Sequence, residues 1–286
     1  MRTNNSLNLT EALARWLRRA QAIAPRINKQ WTRGRATEPI GRSAQVSSSP
    51  LGTRRDSVMS KREANRELLR LLQMPSSART GADWEAEFEA WLPQGSFEGA
   101  GGLVAPGLRG IACHHLRVGS DGDGGVSFRD ALDAAIDDAA GLVIAPGLDA
   151  PVEISFGLLA TYRMFGAMRT PAGWNGGSAE LGDHVLSKQE RILTGAPNED
   201  YLPTFVRRAL RLHLESVGIT DPRVSLVMWP ERGDHRDLCF NIERKAFSSA
   251  DDYAAFMDSL VWFLPDGYTV LGSDSLPGPR SLAVPL

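Results

Sequence analysis

Cys113-His114-His115 is the triplet with the most chemistry in it. On a strand, Cys113 and His115 share one face and His114 points the other way. A thiolate and an imidazole on one face are soft ligands for zinc or copper, but a structural zinc site takes four ligands. The remaining histidines and cysteine, His184, His213, His235 and Cys239, would have to converge on the triplet. His213 sits between Leu212 and Leu214 in a helical run, and His235 reads as part of a turn, so no metal site is expected. A Cys–His nucleophile fares no better. Neighbours on a strand diverge, which removes His114 as a base for Cys113, and His115 lies about 7 Å further along the strand. A reactive thiolate also needs a helix N-terminus or a cationic neighbour. Cys113 therefore reads as a small buried residue and the histidines as satisfied strand residues.

Other short patterns dissolve in the same way. Gly119 to Asp130 imitates a calcium loop, with Asp121, Asp123, Gly124, Ser127 and Asp130 in register. Its first position is Gly119 instead of a carboxylate, its last is Asp instead of the longer Glu, and a strand precedes it. An acidic turn leading into a capped helix accounts for it. There is no Walker A loop, no GxGxxG after a strand, no GxSxG elbow, no HExxH and no kinase signature. Asp251 and Asp252 suit the positive end of a helix, whereas Asp137 and Asp138 read as solvated. No cofactor is expected. The loop from Thr170 to Gly177 is the exception, because it spends Trp174, followed by Asn175, in a glycine-rich segment. A loop Trp either plugs into a core or waits for a partner. Trp229, just before Pro230, and His235 at the same hairpin end complete the candidate binding surface: Trp174, Asn175, Trp229 and His235.

The elements that must position these residues are clearest between 200 and 272. An amphipathic helix from Tyr201 to Val217 meets a Gly-Ile-Thr-Asp-Pro break. Strands Arg223–Trp229 and Leu238–Ile242 follow, joined by a turn from Pro230 to His235. Then come a helix from Ser249 to Phe263, carrying Phe256, Leu260 and Phe263 inward, and a strand from Tyr268 to Leu271. Further upstream, Met59 opens a helix with Leu68, Leu69 and Leu72 on one face. Ala82–Trp91 places Trp84, Phe88 and Trp91 on a helical stripe. Arg109–Val118 reads as a strand, Ser127 caps a helix from Phe128 to Ala139, and Gly141–Ala145 is a short buried strand. Val152–Ser155 is a strand candidate and Phe156–Phe165 a passage into a helix. Residues 82–145 and 200–272 thus share one order of helix, strand, strand, helix, strand, as an internal duplication or a chance match would give. The expected class is α+β: two related α-β-β-α-β subdomains, 59–183 and 184–286, with helices packed on mixed or antiparallel sheets. They follow a basic extension, 1–58, which reads as disordered apart from a short helix from Leu7 to Ile23.

Several of these segments resemble a widespread set of uncharacterised bacterial proteins. They are Ala139–Pro146 through Phe156-Gly157 and Phe165-Gly166, Gly195-Ala196-Pro197 with Tyr201-Leu202-Pro203, Gly218–Val224, and Trp262–Pro265. The C-terminal part is also similar in layout to the C-terminal domain of SseB, a bacterial protein named for enhanced serine sensitivity. The resemblance covers roughly residues 60–275. It rests on turns and core positions, so it implies a bacterial α+β protein and carries over no catalytic residue.

Charge and composition narrow the function further. With 42% hydrophobic and 23% charged residues, the chain has the balance of an ordinary globular protein. Its net charge of −2 hides an asymmetry: residues 1–58 hold eleven basic and three acidic side chains, near +8, which leaves the remainder near −10. An acidic core is a poor phosphate binder, so nucleic acid is not expected there. Two cysteines exclude a disulfide framework and fit a reducing cytoplasm. No run approaches the roughly 20 apolar residues of a membrane span. The Arg-rich, acid-poor start lacks the apolar stretch of a secretory signal and has the composition of a transit peptide or a specialised export signal. Met59 also reads as a natural start. The expected function is a non-enzymatic cytoplasmic binding or regulatory module whose partner is another protein. Two alternatives stand beside it. One is a hydrolase or transferase working near Cys113 and His115 or near Asp234 and His235. The other is an exported effector or export-associated factor relying on residues 1–58.

Overall fold

The computed structural model describes residues 60–79, 81–99, 104–107, 109–119, 125–145, 147–175, 191–275 and 283–286. The basic extension, His184, and Asp121–Gly124 of the calcium-like turn lie outside the described residues.

Among the described residues, six α-helices and two mixed sheets make an α+β fold. Helix α1 (Lys61–Gln73) begins where the Ser60 hydroxyl accepts from the Glu63 N–H, and buries Ala64, Leu68, Leu71 and Leu72 at helical spacing. Its Asn65 is buried too. That side chain donates to Ser96 Oγ (2.8 Å) and to the Gly119 carbonyl (2.7 Å), and accepts from the Ser96 N–H (2.8 Å). With three bonds made, the amide is well satisfied and ties α1 to the first sheet. Helix α2 (Ala82–Trp91) buries Trp84 and Phe88, stacked 4.9 Å apart.

The first sheet has the order β4-β1-β3-β5-β6, with β2 also on β3. The strands are β1 (Ser96–Glu98), β2 (Val104–Pro106), β3 (Ala112–Val118), β4 (Val126–Ser127), β5 (Gly141–Ile144) and β6 (Val152–Ile154). Strands β1 and β2 run antiparallel to successive parts of β3. Helix α3 (Phe128–Asp137) then carries the chain to β5, parallel to β3 with Cys113–Leu116 opposite Gly141–Ile144. A capping box between Ser127 and Asp130 starts α3, the structural role expected of that acidic turn. Asp138, expected to be merely solvated, places Oδ2 2.9 Å from His114 Nε2.

The second sheet repeats part of this plan. Its order is β10-β9-β8-β11, with β7 also on β8. The strands are β7 (Leu193–Gly195), β8 (Arg223–Trp229), β9 (His235–Phe240), β10 (Thr269–Gly272) and β11 (Val284–Pro285). After helix α5 (Thr204–Ser216), β8 and β9 form an antiparallel hairpin. Helix α6 (Ala250–Val261) then leads to β10, parallel to β9 with Asp237–Phe240 opposite Thr269–Gly272. Both halves are therefore a helix, an antiparallel pair, and a helical crossover to a parallel strand with a four-residue ladder.

The two halves share one continuous core, from Leu68 to Leu286. Helix α4 (Phe156–Phe165), capped by Ser155, packs at that contact. The Gly157 N–H donates to the Trp262 carbonyl (2.9 Å), and a Cβ on Gly157 would sit 1.9 Å from the Leu264 carbonyl oxygen. Only glycine permits that approach. The Trp262 ring lies over Gly141 of the first sheet, and its indole N–H donates to Glu153 Oε1 (3.2 Å). Arg208 of α5 donates to the carbonyls of Ile136 (2.9 Å) and Asp137 (2.7 Å), tying α5 to the end of α3.

Candidate functional site

Strand β9 begins at His235, three residues before the Leu238 start expected from sequence. Gly233 and Asp234 both take positive φ, 66° and 59°, so the turn closes early and Trp229 pairs directly with His235. This moves His235 out of the turn and onto the strand. It also puts His235, Asp237 and Cys239 on one face, the face turned away from the main core.

On that outer face Asp237 is a buried carboxylate, 4% exposed, between Val227 of β8 and Thr269 of β10. Oδ2 accepts the Trp229 indole N–H (2.5 Å). Oδ1 accepts the Thr269 hydroxyl and lies 3.2 Å from His235 Nε2. Trp229 and His235 are themselves 6% and 7% exposed. A buried carboxyl group needs its oxygens bonded in this way. The Arg232 guanidinium lies 4.8 Å above the Trp229 ring.

The cluster contains the residue types of a nucleophilic triad but not its geometry. In a triad the imidazole stands between carboxylate and hydroxyl, one ring nitrogen for each. Here the same Nε2 faces Asp237 Oδ1 at 3.2 Å and Thr269 Oγ1 at 3.4 Å, and the hydroxyl proton is already given to the carboxylate. Asp234, the partner expected for His235, is exposed on the turn. The cluster locks three strands together.

The inner face at the same end is different. Trp174 packs edge-on against Phe165 (4.9 Å) and parallel to Tyr201 (6.4 Å), and its indole N–H donates to the Tyr268 hydroxyl (2.9 Å). Tyr268 in turn donates to the Tyr201 carbonyl. Burial pushes the Tyr268 phenol up to about 12 and raises that of Tyr201 as well. The Asn175 carbonyl accepts the Arg236 N–H (3.1 Å), its side chain donates to the Gly267 carbonyl (2.7 Å), and Arg236 Nη1 donates to the Trp174 carbonyl (3.2 Å). The loop is thus bolted to the start of β9 and to the turn before β10.

Cross-strand pairing extends this arrangement outward. Arg236 stands opposite Met228, and Met228 opposite Leu193 of β7. Paired residues share a face, so Arg236, Met228 and Leu193 form one row across the sheet end, and the Arg236 bond to the Trp174 carbonyl joins the loop to it. Leu193 is 52% exposed, one of three large exposed apolar side chains among the described residues, with Leu212 and Val261. Two residues before it, Arg191 pairs with Glu231 at 3.4 Å.

The four sequence candidates therefore meet at one end of the C-terminal sheet but on two faces: Trp174 and Asn175 over the inner one, Trp229 and His235 on the outer. Sequence reading missed Asp237, Thr269, Arg236 and Leu193. The signal for the first was the alternation His235-x-Asp237-x-Cys239, hidden once the strand was started at Leu238.

The other candidate centre is closed. Cys113 is fully buried; burial first, and then the Glu153 carboxylate, push its thiol up to about 12. Both causes disfavour the thiolate. Among the described residues no group of three or more His, Cys, Asp or Glu side chains could hold a metal ion, and no helix is long and apolar enough to cross a membrane. Comparison of the chain with protein-family models, with curated proteins and with solved structures finds no match.

Proposed function

We propose that this chain is a non-enzymatic, cytoplasmic binding module that engages another protein at the end of its C-terminal sheet, akin in layout to the SseB C-terminal domain. The observation that carries the reading is the row Leu193–Met228–Arg236, with the Trp174 loop joined to it. It offers an exposed apolar side chain, a half-buried thioether, a cation and an anchored indole in sequence across three strands and a loop. Such a row, with the Arg191–Glu231 pair at its rim, has the composition of an interface centre: aromatic, methionine and arginine inside, charges outside. The outer-face cluster beneath it serves as a rigid support, which lowers the ordering cost of binding. The test is co-purification of the full chain from its native cell beside a Leu193→Glu variant. Leu193 is half exposed on an edge strand, so the variant keeps its melting temperature. The reading expects a stoichiometric protein partner that the variant loses. Retention of the same partner by both proteins would place the interface elsewhere.

A further inference from the structure

We draw no further inference here: the strongest candidate, the open concavity of about 330 Å³ lined by Arg244, Ala250, Tyr253 and Asp274 at the start of α6, rests on a helix N-terminus and mostly exposed side chains with nothing in the structure to identify a ligand.

Discussion

Acid should destabilise this protein through one histidine. His213 of α5 is wedged against α6, its ring 4.6 Å from that of Phe263 and 6.4 Å from that of Phe256, with Nε2 3.2 Å from Ser259 Oγ. Burial lowers its pKa from 6.5 to about 4. The sign follows directly. Between those values the unfolded chain binds a proton that the folded chain refuses, so stability falls as pH drops below 6.5 and the loss levels off near 4. A pKa unit is worth about 1.4 kcal/mol, which makes the complete loss about 3 kcal/mol and the part between pH 7 and pH 5 about 2 kcal/mol. Carboxylates titrate as well, so the measurement is a difference. Urea unfolding followed by tryptophan fluorescence, at pH 7 and pH 5, compares wild type with His213→Gln. The variant is weaker at neutral pH because it loses the ring stack. Its drop on acidification should nevertheless be smaller than that of wild type by about 2 kcal/mol. Equal drops would refute the argument, since the imidazole would then be taking up its proton in the folded protein.

Three further outcomes follow from the packing. Gly157→Ala drives a methyl into the Leu264 carbonyl, and chemical denaturation should show a loss of about 1–3 kcal/mol with both halves unfolding together. Trp229→Phe removes one donor from the Asp237 carboxylate and should cost about 1–3 kcal/mol in the same assay, whereas an unchanged midpoint would mean the carboxylate is served by solvent. In a Cys239→Ser background, Cys113 should resist a thiol-reactive disulfide reagent at pH 8 until denaturant is added, because its thiol titrates near 12; prompt labelling of the folded protein would contradict that burial.

Much of the fold was legible because its signals are local. The apolar spacing in Thr204–Ser216 and Ala250–Val261 and the Ser127 cap mark elements within a turn or two of themselves. The repeated order of elements was legible as well, and in both sheets it becomes an antiparallel pair followed by a helical crossover to a parallel strand. The site was less legible, for a physical reason. Asp237 acquires its donors from β8, β9 and β10, so its environment exists only once register is set, and a start misplaced by three residues hides the alternation. Trp174 looks like a free loop residue until Tyr201 and Tyr268, distant in sequence, join Phe165 around it. The importance of Leu193 depends wholly on the partner strand that presents it.

The most direct test of the account is site-specific photo-crosslinking in the native cell, with a photoreactive residue in place of Leu193 or, separately, of Leu212. Both side chains are apolar and similarly exposed, at 52% and 50%, but Leu212 lies on α5, outside the proposed row. The account predicts a discrete adduct with a second protein from position 193 and none from position 212. Adducts from position 212 alone, or from neither position, would contradict a binding surface at the end of the C-terminal sheet.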